Sequence, residues 1–394
     1  MKILHTFRLN RVKWRHWLLL VLLLLVTLVK MIPLWGFIYT TRIYPIIGTL
    51  LSPISGFFPF AVGDIFIALS IAWVIFYPIY EIGLRKKLAR RYFFLAAKRG
   101  CYPKKKVVFG KVAEYLLWVY AWFYIAWGLN YSQPNIYARI EMKPVEVSEA
   151  KFKAFAYQYA DSLNALSISS DIARSSIFSD SIVDDGLKNR VRDAVLKEYN
   201  KIGYKEGINA PFNQHPHAKT MVFTPLSSMS GVTGSMGPFF CEFTLNGDIL
   251  PHDYPATYAH EFAHFLGVAN EGEANFYSYI VCTVSADKQV RFSGYYHIFF
   301  HVLNNVFDIL GEKEGERFLK HIRPEIIQLA KSDRRYWLGK RCKALDATQD
   351  FIFELYLKGN HVAEGRKSYS GVIGLILAWE EKKNTQGKDE QGRK

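Results

Sequence analysis

The sequence predicts a membrane-anchored α+β protein, in which three N-terminal transmembrane helices precede a mostly helical domain with a small sheet. Half of the 394 residues are apolar, and the longest apolar runs lie before residue 130. After residue 255 the apolar residues recur at helical spacing almost to the end of the chain, whereas short alternating segments precede that point. A chain of this length can hold an anchor and one domain with a substantial core.

The positive charge is concentrated beside the apolar runs. The net charge is +15; residues 1–16 carry five Lys/Arg and no acid, and residues 81–111 carry eleven Lys/Arg and the single acid Glu81. Because 5 + 11 − 1 = 15, the rest of the chain is neutral. This distribution is typical of membrane topology signals and excludes a nucleic-acid-binding surface on the folded domain. The expected partner of these segments is therefore the lipid bilayer.

The predicted anchor occupies residues 1–130 and has spans at about 17–39, 57–80 and 107–129, each long enough for a hydrocarbon core of roughly 30 Å. The alternative for the first span is a cleaved signal peptide, but no small-residue cleavage site follows it and two more spans do. The alternative for the third is a buried soluble helix, because Lys111 and Glu114 shorten its apolar core. Its aromatic residues favour a membrane-interface belt and therefore a span.

The orientation follows from the loops. The basic N-terminus and the 81–111 loop should stay cytoplasmic, while the 40–56 loop, with Arg42 as its one charge, should lie outside. Three spans then place the second domain, residues 131–380, outside the cytoplasm. Residues 381–394 are polar and charged, and we expect a disordered tail there.

Within residues 131–380 the pattern predicts mainly helices. Ser148 is a suitable N-cap, and the Ser- and Gly-rich segment 227–237 predicts a loop. Short strands are expected at 219–224 and 239–245, with Asn246-Gly247 as a turn. The predicted helices cover about 149–165, 184–200, 255–266, 271–287, 292–310, 314–331, 333–358 and 369–382.

The chemistry is predicted by one motif, His260-Glu261-Phe262-Ala263-His264, which has the form H-E-x-x-H. Residues i and i+4 share a helix face, so both histidines can bind one tetrahedral Zn²⁺, with one ion per chain. Glu261 can then act as general base toward water at the metal. The alternative is a pair of core histidines beside a buried Glu, which is disfavoured because an unpaired buried carboxylate is costly.

A tetrahedral site needs a third protein ligand. Asn270 stands where zincins with a third histidine carry it, so that pattern fails. Zincins with a glutamate ligand take it from a following helix, with an acid or amide four residues later. Glu271 and Asn275 match that spacing, and Asn275 would orient a ligand histidine. Glu273 remains the rival third ligand, and whichever glutamate does not bind would complement the helix N-terminus.

Several of these features together resemble a bacterial membrane family of zincin type, known as domain of unknown function 3810. The resemblance rests on the three spans, the segment 239–245, H-E-F-A-H-F-L-G, E-G-E-A-N-F and the C-terminal S-Y-S-G-V, and it covers most of the chain. It implies a gluzincin-like fold and a peptidase. It also implies a bacterial cytoplasmic membrane, with the second domain on the periplasmic side.

In zincins an edge strand beside the active-site helix pairs with an extended substrate. The candidate strand here is the segment before the motif, Phe239, Phe240, Cys241, Glu242 and Phe243. The expected function is zinc-dependent hydrolysis of protein or peptide substrates near the outer membrane face. The alternative is a non-catalytic sensor or scaffold that retains a zincin fold, although such a protein would not need Glu261.

Overall fold

The computed structural model describes residues 13–91, 105–145, 148–170, 183–343 and 371–391. This part of the chain is mostly helical with one three-stranded sheet, as the sequence predicts. The strands are β1 (Lys219–Thr220), β2 (Gly234–Gly237) and β3 (Glu242–Leu245). The helices are α1 (Trp14–Met31), α2 (Pro33–Ile38), α3 (Tyr44–Gly56), α4 (Val62–Arg91), α5 (Lys105–Ala126), α6 (Ile136–Arg139), α7 (Glu149–Ser170), α8 (Asp185–Ile202), α9 (Thr224–Met229), α10 (Tyr254–Phe265), α11 (Glu271–Thr283), α12 (Lys288–His297), α13 (Phe299–Leu310), α14 (Glu312–His321), α15 (Pro324–Lys340) and α16 (Val372–Gln391).

Two of the described helices are long and apolar enough to cross a bilayer, namely α1 and the Val62–Gly83 part of α4. Only 11% and 6% of the residues in their most apolar windows are buried, unlike those of a core helix in a soluble protein. Helix α5, where a third span was predicted at 107–129, does not meet this measure, so two of the three predicted spans are supported. The charges of Lys111 and Glu114 and the many Tyr and Trp residues of α5 lower its hydropathy.

The first predicted span ends earlier than residue 39, because Ile32 is extended and Pro33 starts a new helix. The predicted loop at 40–56 is also helical. A π-helical turn, Tyr39–Ile43, joins α2 to α3, so the chain from Pro33 to Gly56 is almost continuously helical.

Helix α5 packs against both apolar helices. At one end of α1, Arg15 forms an ion pair with Glu114, with Nε and Oε1 2.9 Å apart. At the other end the Lys30 ammonium donates to the Tyr124 hydroxyl at 3.0 Å, so α1 and α5 run parallel. Against α4 the order is reversed, because Tyr115 contacts Ser70 while Lys111 lies over the ring of Tyr77.

The second half of the described chain is built around α10 and α11, which pack against each other. Helix α10 also contacts the sheet, α8 and α12, and its Phe262 ring lies 5.2 Å from that of Tyr199 and 5.9 Å from that of Phe243. In the sheet, β3 is central, parallel to β1 and antiparallel to β2. All four residues of β3 are buried.

The N-terminal helical region contacts the C-terminal end of α10 directly. The Trp127 indole donates to the His264 carbonyl at 3.0 Å, and the Tyr44 hydroxyl donates to the Phe265 carbonyl at 2.7 Å. These bonds satisfy carbonyls at the C-terminal end of α10, which a helix leaves without internal partners. The C-terminal end of α10 is thereby fixed to α3 and to the end of α5.

Several predicted boundaries are corrected. The predicted helix 292–310 is divided at Ile298, and Pro324 starts α15 well before the predicted 333. The predicted disordered tail 381–394 begins inside α16, which extends to Gln391. The part of the predicted helix 333–358 after residue 343, and residues 392–394, lie outside the described residues.

Candidate metal centre

The H-E-x-x-H segment lies on α10, and every residue of this helix is buried. Pro255 occupies the first turn, where its missing N–H has no helical partner to lose. Gly267 ends the segment with a φ of +98°, a conformation that side chains with a Cβ rarely adopt. The apolar neighbours of the motif therefore hold a short helix in the core. Its polar side, with His260, Glu261 and His264, faces a cleft.

The structure brings His260, His264 and Glu271 together. The two Nε2 atoms lie 3.1 Å apart, and Glu271 Oε2 lies 3.1 Å from Nε2 of His260 and 3.4 Å from Nε2 of His264. Zinc bonds of 2.0–2.1 Å at tetrahedral angles would place ligand atoms about 3.3 Å apart. The donor set and its spacing thus fit a Zn²⁺ site.

Each histidine is oriented through its other ring nitrogen. His264 Nδ1 donates to the carbonyl of Val268 at 2.6 Å, and His260 Nδ1 lies 2.8 Å from the Asn275 side-chain oxygen. Since both acceptors are oxygens, the proton is held on Nδ1 and Nε2 faces the centre. Asn275 therefore occupies the orienting position predicted for it, and it also contacts His297 Nε2 at 3.0 Å.

Glu273 points away from the centre. Its Oε2 accepts from the Arg139 guanidinium at 2.6 Å, and its Oε1 accepts from the backbone N–H of Ile136 at 2.9 Å. Both side chains of the ion pair are almost completely buried. The geometry therefore separates the two rival glutamates: Glu271 joins the histidines, whereas Glu273 ties α11 to α6.

Glu261 lies beside β2 rather than in the ligand cluster. A Cβ added to Gly234 would lie 2.3 Å from Glu261 Oε1, so the strand approaches this carboxylate as closely as a glycine allows. Glu261 Oε2 is buried and has no hydrogen-bond partner among the described residues. A buried carboxylate oxygen without a protein partner is costly, and this oxygen is placed to accept a hydrogen bond from water or substrate in the cleft.

Burial and the charges of neighbouring groups shift the pKa values of the side chains in and around the cluster. Burial raises the pKa of Glu261, and the neighbouring histidines only partly oppose this effect. Burial disfavours charge on His264 and Glu271 as well, but their mutual attraction outweighs it; the pKa of His264 rises to about 9 and the pKa of Glu271 falls well below its usual value. Burial, with the proximity of His260 and His301, lowers the pKa of His297 to about 3.

The cluster opens into a cleft of about 910 Å³. One wall is the segment 230–236, which includes the free side of β2. His297 and His301 also line the cleft, together with four aromatic residues. These aromatic residues are Phe123, Trp127, Tyr131 and Phe239.

The predicted substrate strand at 239–243 is corrected by the sheet topology. Phe239, Phe240 and Cys241 form a turn, and Glu242 and Phe243 begin β3, which is paired on both sides. The edge strand beside α10 is β2, which falls in the segment predicted as a loop. Its sequence, Gly-Ser-Met-Gly, lacks the β-branched and aromatic residues that indicate a strand.

A second group of titratable side chains lies at the other end of α10. His252 Nε2 is 2.9 Å from Asp333 Oδ2 and 3.6 Å from Asp253 Oδ2, and the Tyr296 hydroxyl also donates to Asp333. Burial would lower the pKa of His252, but the two carboxylates outweigh it and raise the value. This group connects the start of α10 to α12 and α15.

The fold and the site define a helical protein with two apolar helices of membrane-spanning length and a buried His-His-Glu cluster of metal-binding geometry. The chain belongs to the family described as "Protein of unknown function (DUF3810)", which it matches over residues 39–377. Comparison with curated proteins and with solved structures found no significant match.

Proposed function

We propose that this protein is a zinc-dependent metallopeptidase that hydrolyses protein or peptide substrates at the outer face of a bacterial cytoplasmic membrane. The observation that supports this most is the convergence of His260, His264 and Glu271 at the spacing of zinc ligands, with Glu261 beside them and unpaired. Bound at this position, a zinc ion would polarise a scissile carbonyl and lower the pKa of an attacking water.

The protein's own side chains have distinct roles in this proposal. Glu261 takes the proton of the attacking water and passes it to the leaving amine; burial raises the pKa of its carboxyl, which favours holding the proton between these two steps. Asn275 and the Val268 carbonyl hold the histidines in the binding tautomer. His301 lines the cleft, where its ring could donate to the developing oxyanion.

The free edge of β2 is the proposed substrate-binding strand. Asn246 N–H donates to the Thr233 carbonyl, so Thr233 and Asn246 form a hydrogen-bonded pair. In an antiparallel ladder the N–H groups alternate, so those of Gly234 and Met236 point to the open side. An extended peptide could pair with them and pass Glu261.

The proposed topology places the metal centre outside the cytoplasm. Helix α5 runs parallel to α1 and antiparallel to α4, with its charges Glu114 and Lys111 in contact with these helices. It therefore follows α1 through the same layer although its own hydropathy is lower. The basic 81–111 loop then stays in the cytoplasm, and the chain from residue 128 onward lies on the other side.

The test is metal content measured together with hydrolysis. Full-length protein in detergent should contain about one zinc per chain by elemental analysis, and His260→Ala, His264→Ala and Glu271→Ala should lose it. Glu261→Gln should retain zinc while cleavage of a peptide library falls by a factor on the order of 10² or more. Wild-type protein that folds but binds no zinc would refute the proposal.

A scaffold or sensor with the same fold makes a different prediction. Such a protein would bind zinc, but neither the wild type nor Glu261→Gln would cleave any library member. Glu261 favours the enzyme, because a scaffold would need the three ligands but not a carboxylate that lines the cleft beside them.

A further inference from the structure

We infer that the metal centre acts on polypeptides anchored in the same bilayer and cuts them within about ten residues of the membrane. This inference rests on the proposed peptidase function and specifies its substrate class. It follows from where β2 ends and from what covers the apolar surface around it.

Strand β2 connects the metal centre to the first turn of α4. At its start, Gly234 touches Glu261; at its end, a Cβ on Gly63 would lie 4.0 Å from the Cα of Gly237. Glu242, the register partner of Gly237, also accepts from the Gly63 N–H at 2.5 Å. Four strand residues span only about 10 Å. With the contact at each end of the strand added, Glu261 lies roughly 10–20 Å from the start of the apolar segment Val62–Gly83.

The turn between β2 and β3 lies closer to the apolar segment of α4 than the metal centre does. Phe239 packs against Phe66 of α4 with ring centroids 4.9 Å apart, and against Phe123 of α5 at 6.2 Å. The Trp122 indole donates to the Phe239 carbonyl at 3.0 Å. Since Phe66 is one turn inside the apolar segment of α4, this turn reaches the level of the hydrocarbon boundary.

An exposed apolar surface continues sideways from α4, and we name it the interfacial face. Its six large side chains are between 43% and 85% exposed: Ile46, Leu50, Ile54, Phe57, Phe223 and Leu226. On α3 the opposite side, including Tyr44 and Ser52, is buried against the rest of the protein. A helix with one face buried in protein and an apolar face exposed is suited to the membrane interface.

The bilayer is the occupant that fits the interfacial face. Helix α3 follows α1 after the short α2, and the segment of Phe57 leads directly into α4, so both ends of this surface adjoin apolar helices. Near Phe223, the backbone N–H of Val222 donates to Asp64 at the start of α4 at 2.8 Å. The exposed apolar surface is thus continuous with that of α4 and lies at its outer end.

The depth of the site follows. The headgroup layer adds roughly 5–7 Å on each side of the hydrocarbon core. A cleft whose catalytic carboxylate lies roughly 10–20 Å from the start of α4 is close above that layer. An extended chain covers this distance with about three to six residues, so a membrane-anchored substrate would meet Glu261 with its juxtamembrane segment.

The experiment uses full-length protein in phosphatidylcholine liposomes with co-reconstituted single-span reporters. Each reporter carries one random heptapeptide repeated five times outside the membrane, so the same sequence is offered at five distances. We expect mass spectrometry to find cuts in the first repeat and at least tenfold fewer in the last two. Even cutting along the repeats, or equal cleavage of the free repeat peptide at matched concentration, would overturn the inference.

A second measurement does not depend on activity. Acyl chains carrying a photoactivatable carbene precursor near the headgroup should label the interfacial face. They should not label Val284, which is 57% exposed at the far end of α11. Equal labelling of Val284 would overturn the membrane placement. If no reporter and no free peptide is cut while the face is labelled, the substrate inference fails together with the peptidase proposal and the membrane placement stands.

Matched variants connect the two measurements. Phe223→Glu with Leu226→Glu places charges on exposed positions of the interfacial face, so folding should be retained. We expect reduced lipid labelling there and cuts that extend into distal repeats. Val284→Glu, an equally exposed apolar position, should change neither readout; a distribution of cuts unaffected by the double variant would contradict the role of the face.

Discussion

At the residue scale, the contact between Gly234 and Glu261 sets the position of the proposed general base. In Gly234→Ala the new Cβ would lie 2.3 Å from Glu261 Oε1, so the carboxylate must move. The ligand residues are untouched. We expect zinc content to be retained and kcat/KM for library peptides to fall on the order of 10-fold to 100-fold, less than for complete loss of the base because the carboxylate is displaced but still present.

The control is Gly339→Ala on α15, where a Cβ would meet no atom within 4 Å. It should leave both zinc content and activity unchanged. If Gly234→Ala retained full activity while the control did too, Glu261 would not be held against β2 in the working enzyme.

The two glutamates of α11 should behave oppositely when each is changed to alanine. Glu271→Ala removes a ligand and should lose zinc. Glu273→Ala should keep zinc but leave the buried Arg139 with backbone carbonyls and no carboxylate partner, which costs up to about 3–5 kcal/mol of unfolding free energy. Elemental analysis and urea unfolding of the same preparations separate the effects; zinc loss from Glu273→Ala in folded protein would reverse the assignment.

The metal-centre residues show which parts of the site can be predicted from the sequence and which cannot. The spacing of His260, Glu261 and His264 determines their common face because helix periodicity is local. The choice between Glu271 and Glu273 is not local, since residues two apart on a helix point in different directions and both suit a first turn. The choice is determined by Arg139, which is 134 residues distant in sequence and is brought close only by the fold.

At the element scale, β2 should tolerate proline at a position whose N–H faces the open edge, but not at a position whose N–H bonds to β3. Met236→Pro removes an N–H that faces the open edge, so the ladder survives. One lost backbone hydrogen bond to substrate is worth roughly 0.5–1.5 kcal/mol, and we expect kcat/KM to fall about 2-fold to 10-fold with unchanged zinc content. Peptide-library kinetics on purified protein provide the measurement.

Ser235→Pro is the matched change at a neighbouring position whose N–H faces β3. It removes a ladder N–H and leaves a buried carbonyl on β3 without its partner, which costs about 1–3 kcal/mol of stability. Urea unfolding should therefore distinguish the two variants. If Ser235→Pro is instead the stable variant and loses activity, the Ser235 N–H faces the open edge and the Met236 N–H faces β3, opposite to our assignment.

The group of His252, Asp253 and Asp333, which connects α10 to α12 and α15, should make the free energy of unfolding depend on pH. The pKa of His252 is raised in the folded protein, so the folded state favours the protonated ring. That contribution is complete below about pH 6.5 and is lost as pH rises through the folded pKa. The pKa of Asp253, raised to about 6 by burial, acts in the same direction at lower pH.

His252→Gln removes the titrating ring while keeping a hydrogen-bonding group near Asp333. The gap in unfolding free energy between wild type and this variant should be largest near pH 6 and should shrink as pH rises above 6.5. Urea titrations between pH 6 and 9 measure it. A gap that grows with pH would mean that the ring is neutral in the folded protein.

Element types were predictable where the pattern is strong, as for α10 and α11, whose apolar residues recur at helical spacing. Strand β2 was missed because its sequence gives no alternation; packing against Glu261 and β3 makes it a strand. The segment 239–243 was assigned the wrong role for a related reason. Its apolar residues predicted a strand beside the motif, but the strand that begins there, β3, is buried and paired on both sides, which excludes it from the open edge.

At the scale of the whole molecule, hydropathy and packing describe α5 differently. Its own composition does not meet the criterion for a span, because its charges and polar aromatic rings count against it. In the fold Glu114 is paired with Arg15, and Tyr115 contacts Ser70. Sequence windows score residues one at a time, whereas a helix among other helices can satisfy polar groups laterally.

The side of the membrane that carries the metal centre depends on this helix. If α5 follows α1 outward, reporter fusions at Lys105 and at the C-terminus should report cytoplasmic and extracytoplasmic locations, respectively. If α5 instead remained in the cytoplasm, both would report cytoplasmic. Since α1 and α5 are parallel along their lengths, and the chain from residue 128 leads directly to the junction with α10, we expect the first result. An extracytoplasmic signal at Lys105 would invert the orientation and place the candidate metal centre in the cytoplasm.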